Sequence, residues 1–118
     1  MDKKNIIIYL EHILECIDKI QEYTSSMNLD QFLKTPLVQD AVIRNFEIIG
    51  EATKHIPDNM RVRHSLIEWK KMAGMRDKLI HDYIGVDLWA VWGVVEEILP
   101  QLKDQLVIVC SVEKGNEN

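Results

Sequence analysis

The chain has 118 residues, of which 47% are hydrophobic and 28% are charged, and its formal net charge is −5. This length and apolar content fit one compact domain and exclude a disordered chain, while the excess of acidic residues argues against general nucleic-acid binding, which needs local positive charge. Only five glycines and three prolines occur, which favours a few long helices over many short strands.

The first half of the chain has two amphipathic patterns typical of long helices. Apolar residues at three- and four-residue spacing predict a first helix over residues 3–23, and a short helical turn could follow over residues 28–34. A second helix is expected to begin with Thr35 as N-cap and Pro36 in its first turn. Pro57 and the polar residues after it end this pattern.

The second half of the chain predicts two more helices. Ser65, with Glu68 three residues later, forms a capping-box pattern that predicts the start of a third helix, which would run to about Tyr83. A fourth helix is expected to open at Asp87 as N-cap. Its apolar stripe continues past Pro100, so we expect a kink or a break there, followed by a restart of the helix.

Together these elements predict an all-α fold, an up-and-down bundle of four to five helices. The domain is expected to cover residues 1–112, and the polar C-terminal tail, residues 113–118, is expected to fray. Three of the helices carry apolar residues over more than half of their circumference, which is wide for one small bundle. This width predicts an apolar surface that is buried against another subunit.

The sequence predicts a cytoplasmic protein that does not contact a membrane. No window approaches the apolar length of a membrane span, and the apolar run after Lys3 and Lys4 is too short for a signal peptide. Cys16 and Cys110 lie far apart in sequence, and neither belongs to a CxxC pair. Buried thiols in a reducing compartment explain them most simply.

Positive charge is concentrated in residues 61–80. This segment has six Lys or Arg residues against two Asp or Glu residues, a net charge of +4. It leads into the stretch GMRDKLIHDYIGVD, residues 74–87. Two interpretations stay open for the charge itself, a solvated helix face and a phosphate-binding surface.

On an ideal helix, the polar residues of this stretch form two adjacent rows, Asp77 with His81 and Arg76 with Tyr83. Histidine can act as a general base near neutral pH, and a carboxylate four residues before it can orient the ring. Arginine can hold a phosphate and stabilise developing negative charge. This set suits RNA cleavage without a metal, although the spacing alone also fits a surface arginine and a histidine near a helix end.

Two glycines inside predicted helices, Gly50 and Gly74, suggest close packing of the second and third helices, because glycine is unfavourable in a helix interior. Such packing would bring Arg44 and Glu51 towards Arg76 and His81 as supporting residues. The alternative for Arg44, Glu51 and the intervening Glu47 is a ladder of ion pairs along one helix.

The other three histidines have weaker settings, and no metal or cofactor is predicted. No glutamate has a histidine three residues later, which disfavours a di-iron bundle. Zinc-ligand spacing and a glycine-rich phosphate loop are also absent from the sequence.

Two blocks of the sequence resemble the HepT-like toxins of the HEPN superfamily, and the resemblance covers nearly the whole chain. The blocks are RNFEIIGEATKHIP, residues 44–57, and WKKMAGMRDKLIHDYIGVDLWAVW, residues 69–92. The second block contains the superfamily's R-x(4–6)-H pattern as Arg76-x4-His81, followed by the family's H-x-Y pattern, which ends at Tyr83.

The resemblance implies a HEPN-like helical bundle that forms a homodimer around a shared cleft and cleaves RNA without a metal. Arg76 and His81 would be the catalytic residues. The implied partner is an MntA-type nucleotidyltransferase antitoxin, which would silence the toxin by transferring AMP from ATP to Tyr83. At the position after the motif arginine the family often has asparagine, and this sequence has Asp77.

In a second hypothesis, the protein is a non-catalytic helical partner of a nucleotidyltransferase, which binds it and modifies it. The net acidity of the sequence and the carboxylate of Asp77 favour this hypothesis, because both oppose phosphate binding.

Overall fold

The computed structural model describes residues 2–75 and 87–115, and within these ranges the protein is helical, without strands. This confirms the predicted all-α bundle. No helix in the described part is long and apolar enough to cross a membrane. The described helices are α1 (Lys3–Thr24), α2 (Leu29–Leu33), α3 (Pro36–Thr53), α4 (Asp58–Arg63), α5 (Trp69–Ala73), α6 (Leu88–Gly93) and α7 (Leu99–Gly115).

The core lies where α1 packs against α3 and α7. The apolar stripe of α1 is fully buried at Leu10, Ile13 and Ile17, and α3 and α7 contribute Phe46 and Leu106. Burying each such side chain contributes roughly 1.5–3 kcal/mol. The first helix was predicted over residues 3–23, and the structure confirms it.

The junction between α2 and α3 differs from the prediction in its hydrogen bonds. Asn28 and Gln31 form a capping box at the start of α2, with two reciprocal bonds of 2.9 Å. Pro36 begins α3 as predicted, but Thr35 does not cap it through its side chain. The Thr35 hydroxyl instead donates to the carbonyl of Gln31 at 2.6 Å, because that carbonyl lies one turn earlier at the end of α2.

A short helix that the sequence did not predict follows α3. Pro57, which was predicted to end a helix, is the N-cap residue of α4. From α4, Arg61 reaches back and donates to the carbonyls of Thr53 and Ile56, both at 2.9 Å. The Thr53 carbonyl ends α3 and also accepts from the N–H of Ile56 at 3.0 Å, and the Ile56 carbonyl lies just after the helix. The Arg61 guanidinium therefore helps to cap the C-terminal end of α3.

The third predicted helix starts later than its capping-box pattern indicated. Ser65 lies in a turn, and α5 begins at Trp69. Glu68 makes no capping bond, and its carboxylate pairs with Lys71 at 2.6 Å. A turn forms here instead of the predicted first helical turn, because the carbonyl of His64 accepts from the Trp69 indole Nε1 at 3.0 Å. The predicted continuation of this helix to Tyr83 lies outside the described residues.

The fourth predicted helix is confirmed in both its start and its break. The Asp87 carboxylate accepts from the backbone N–H of Ala90 at 3.1 Å and caps α6. A π-helical segment, Val94–Ile98, separates α6 from α7. Pro100 lacks an N–H and its ring crowds the preceding turn, so the wider π turn directly before it accommodates the proline.

The C-terminal end of α7 contradicts the prediction of a frayed tail at residues 113–115. The helix continues through Gly115, and the side chain of Glu113 is fully buried. The prediction was wrong here because it counted glutamate as a surface residue, whereas this carboxylate has cationic partners inside the bundle.

Replacing Asp87 with alanine is expected to lower the free energy of unfolding by about 1 kcal/mol, because the Ala90 N–H loses its acceptor. Urea unfolding followed by circular dichroism measures this change. Asp87→Asn is the matched control, since asparagine is an equally good N-cap and should retain most of the stability. Equal losses for both variants would show that the cap does not stabilise α6.

Candidate functional site

The predicted catalytic motif lies outside the described residues. Arg76, Asp77, His81 and Tyr83 fall between Met75 and Asp87, where the description stops and resumes. Their roles therefore stay predictions. The structure does describe the surfaces on which this segment begins and ends.

One groove is lined by residues from both sides of the undescribed segment in sequence. Met75, the residue directly before the segment, lines the groove together with Leu66 from the turn before α5. Its lining also includes Ala90, Val94 and Ile98, which follow the segment in sequence. The groove has a volume of about 670 Å³. The groove therefore lies beside Met75, the last described residue before the segment.

The groove has exposed apolar walls with few charges. Leu66 is 86% exposed and Ile98 is 50% exposed. Its charged members include Glu68 and Lys71, which pair with each other, and Glu97. The predicted burial of an apolar surface against another subunit stays a prediction.

Arg44 and Glu51 both lie on α3 and form ion pairs along it. Arg44 lies 3.4 Å from Glu47, and Glu51 lies 3.2 Å from Lys54. The ladder interpretation is thus confirmed for Arg44 with Glu47, whereas Glu51 pairs with Lys54, which the prediction did not name. Their predicted approach to Arg76 and His81 depends on residues outside the described ranges, although α3 does pack against α5 as expected.

The predicted reason for Gly74 is wrong among the described residues. A Cβ added there would lie 3.3 Å from the Lys70 carbonyl and 3.9 Å from the Lys71 carbonyl, both in the helix that Gly74 terminates. The crowding therefore comes from the neighbouring turn at the end of α5 rather than from the second predicted helix.

The described part of the basic segment uses much of its charge for structure. Arg61 caps α3, Lys71 pairs with Glu68, and Arg63 binds Glu113. A guanidinium or ammonium held by a carboxylate or by carbonyls offers less charge to a phosphate. A phosphate-binding role for this segment stays a prediction.

Sequence reasoning missed a cluster of charged side chains around Glu113, which we call the Glu113 cluster. It consists of Glu113 on α7, Lys3 on α1, and Arg63 and His64 at the end of α4. Arg63 donates twice, from Nη2 to Oε1 at 2.8 Å and from Nε to Oε2 at 3.4 Å. His64 Nε2 lies 2.6 Å from Oε2, and Lys3 Nζ lies 3.2 Å from Oε1.

The Glu113 carboxylate is fully buried and stays ionised. Burial by itself raises the pKa of Glu113, but hydrogen bonds from Arg63, His64 and Lys3 outweigh it and lower the pKa from 4.5 to about 2. Since an ionised carboxylate can only accept, the His64 ring donates its Nε2–H in this contact. The cluster thereby joins three helices through one charged group.

The other two described histidines and both cysteines have structural settings. The ring of His55 stacks on Tyr9 with centroids 4.3 Å apart, and His12 lies 3.9 Å from Glu15. Cys16 and Cys110 are buried and unpaired, and burial raises the pKa of both thiols, which keeps them protonated and unreactive. Within residues 2–75 and 87–115, no group of three or more His, Cys, Asp or Glu side chains could hold a metal ion.

Comparisons with known proteins give this bundle a family. The family model described as "Ribonuclease HepT-like" matches residues 13–109, a range that includes the whole predicted motif. The helical fold and the matched range together define a HEPN-type domain. The chain belongs to the HepT-like ribonuclease family.

Several relatives are similar over most of the sequence. "Probable ribonuclease HepT" from Thermococcus cleftensis is 50% identical over 95 residues, which cover 80% of this chain and 86% of that protein. "Putative RNase MJ1216" from Methanocaldococcus jannaschii is 40% identical over 119 residues, which cover 100% of this chain and 98% of that protein.

A longer protein of Methanocaldococcus jannaschii, "Gamma-glutamylcyclotransferase and putative RNase MJ0434", is 45% identical over 116 residues. This chain spans 52% of its length. The search of solved structures gave no match.

Proposed function

We propose that this protein is the toxin of a HEPN/MNT-type toxin–antitoxin system and acts as a metal-independent endoribonuclease with Arg76 and His81 as its catalytic residues. The observation that carries the proposal is the family match, which extends over the Arg76-x4-His81 motif. Relatives named as ribonucleases at 40–50% identity support RNA as the substrate class.

The proposed reaction is a transesterification within RNA. His81 removes the proton from a ribose 2′-OH, the 2′-oxygen attacks the adjacent phosphorus, and the bond from phosphorus to the 5′-oxygen breaks. The proton then passes to the departing 5′-oxygen, which leaves a 2′,3′-cyclic phosphate and a 5′-hydroxyl. Arg76 stabilises the pentacoordinate anion through charged hydrogen bonds, and Asp77 orients the His81 ring.

The active form is proposed to be a homodimer. The exposed apolar walls of the groove beside the motif segment, with Leu66 and Ile98, favour burial against another subunit. Arg44 and Glu51 are retained as supporting residues because α3 packs against α5, the helix that leads into the motif segment.

An MntA-type nucleotidyltransferase is proposed as the antitoxin, with Tyr83 as the AMP acceptor. A phosphodiester on this tyrosine would add negative charge and bulk within the same motif as Arg76. The added phosphate could occupy the arginine and exclude RNA, which would silence the toxin without unfolding it.

Tyr83→Phe is expected to escape this silencing. When the variant is incubated with an MntA-type nucleotidyltransferase and ATP, its mass should stay unchanged and its RNA cleavage should persist, because phenylalanine has no hydroxyl to accept AMP. Tyr23→Phe is the matched control, since it removes an exposed hydroxyl from α1 and should still be modified. Adenylylation of Tyr83→Phe at the wild-type rate would contradict the assignment.

The catalytic proposal is tested by incubating purified, unmodified protein with total cellular RNA in the presence of EDTA. Cleavage that continues in EDTA supports a metal-independent nuclease. Tight binding to the nucleotidyltransferase without any RNA cleavage would instead favour the second hypothesis, that the protein is a non-catalytic modification target.

A further inference from the structure

The Glu113 cluster is connected to the element that leads into the proposed active site. His64 donates to the carboxylate through its ring, and its backbone carbonyl accepts from the Trp69 indole at 3.0 Å. The same carbonyl accepts from the N–H of Ile67 at 3.2 Å. The His64 side chain is therefore bound to Glu113 on α7, while its backbone carbonyl is bound by Ile67 just before α5 and by Trp69 at the start of α5.

Trp69 carries this connection into α5. Its side chain is almost fully buried and it is the first residue of the helix. The helix has only five residues, Trp69–Ala73, and Gly74 caps it, one residue before Met75. Since Trp69 is the first of these five residues, its placement bears on the direction of α5 towards Met75, the last described residue before the segment 76–86.

We propose that Glu113 is a positioning residue for the ribonuclease site. Its carboxylate holds the His64 ring, the His64 carbonyl holds the Trp69 indole, and Trp69 in turn places α5. This inference rests on the proposed function. The carboxylate is fully buried, so it acts through another residue rather than on RNA.

The cluster also contains a partner that does not belong to this path. Lys3 contacts Oε1 of Glu113 from α1, whereas His64 contacts Oε2 from the end of α4. Removing Lys3 weakens the cluster but leaves the His64–Trp69 connection intact. Lys3→Gln therefore separates a general loss of stability from a loss of positioning.

The first readout is the indole Nε1–H resonance of Trp69 in a ¹⁵N–¹H NMR spectrum. Glu113→Gln should shift this resonance and speed its exchange with solvent, whereas Lys3→Gln should leave it in place. The Trp92 indole is an internal reference, because that ring packs on Phe32 with centroids 5.2 Å apart. An unmoved Trp69 resonance in folded Glu113→Gln would overturn the proposal.

The second readout is the kinetics of RNA cleavage. Glu113→Gln should lower kcat by about tenfold through misplacement of the site, with KM nearly unchanged because Glu113 does not touch RNA. The matched control is Glu11→Gln, which removes an exposed carboxylate on α1 that lies 3.3 Å from Lys114 on α7. This variant should leave kcat unchanged. A fall in kcat that is equal for Lys3→Gln and Glu113→Gln would reduce the cluster to a stabilising role and overturn the proposal.

Two provisions keep the test decisive. If Glu113→Gln does not fold, His64→Gln replaces it, since this variant removes the imidazole ring and retains the backbone carbonyl. His64→Gln should shift the Trp69 resonance and lower kcat. If neither the resonance nor kcat changes, the proposal is overturned. If the wild-type protein cleaves no RNA, the proposed function fails, while the Trp69 resonance still decides whether Glu113 positions α5.

Discussion

His81→Ala is expected to lower RNA cleavage by about a thousandfold or more while the bundle stays folded, because the variant loses the group that removes the 2′-OH proton. Arg76→Ala should cause a loss of similar size, since the pentacoordinate phosphate would lose its charged donor. Arg76→Lys should keep part of the activity, because lysine provides the charge without the two parallel hydrogen bonds.

The matched control is His12→Ala, which removes an exposed histidine that lies 3.9 Å from Glu15 on α1. It should leave cleavage and growth arrest unchanged. Helix content measured by circular dichroism shows whether each variant is folded. Toxicity that survives both His81→Ala and Arg76→Ala would remove the basis of the catalytic assignment.

Glu113→Ala is expected to lower the free energy of unfolding by about 3–5 kcal/mol, which is the usual cost of removing one partner from a buried ion pair. The reason is specific to this cluster: Arg63, His64 and Lys3 converge on one buried carboxylate and would be left facing one another. Glu11→Ala removes the exposed ion pair between Glu11 on α1 and Lys114 on α7, and should lower the free energy of unfolding by only about 0–1 kcal/mol. Urea unfolding of both variants measures the difference, and equal costs would contradict the account.

The same carboxylate predicts how stability depends on pH. Because the pKa of Glu113 is about 2 in the folded protein and has the ordinary value of 4.5 in the unfolded chain, its contribution is fully present above pH 4.5. Stability should fall as the pH decreases from 4.5 towards 2, by about 3 kcal/mol in total from this group. In Glu113→Gln this acid-dependent component should be absent from urea unfolding measured across that range.

Local signals in the sequence predicted several elements correctly. The apolar stripe of the first helix, the proline at the start of α3 and the Asp87 cap each depend on neighbouring residues alone. Pro100 also marked the break correctly, because the missing N–H affects the turn directly before it. Such features are settled by short-range sterics and hydrogen bonds, so a single sequence is enough to find them.

The errors occur where distant residues decide the outcome. Ser65 and Glu68 have the spacing of a capping box, but the His64 carbonyl and the Trp69 indole favour a turn. Pro57 can either end a helix or begin one, and the Arg61 bonds to the end of α3 accompany the second outcome. Neither set of contacts is visible as a periodic pattern.

Glu113 could have been found from its position on α7. It continues the buried row of Leu102, Leu106 and Val109 at helical spacing, so the pattern places it towards the core. A glutamate at such a position needs a cationic partner. The sequence could not identify Lys3, Arg63 and His64 as those partners, because they lie about fifty to one hundred residues away in sequence.

The candidate catalytic residues were predicted from sequence alone, through the resemblance and its motif. The structure describes residues on either side of the motif in sequence, among them Met75 and Ala90, which line one groove, and it shows that α3 packs on α5. The family match shows the family to which the chain belongs. The assignment of Arg76, His81 and Tyr83 therefore remains a prediction for experiment.

The most direct test of the central proposal is the analysis of RNA ends produced by the purified, unmodified protein in EDTA. The proposed mechanism predicts fragments with 2′,3′-cyclic phosphate and 5′-hydroxyl ends, no cleavage at a site whose ribose lacks the 2′-hydroxyl, and no such fragments from His81→Ala. Absence of cleavage by the wild-type protein, or the same fragments from His81→Ala, would contradict it.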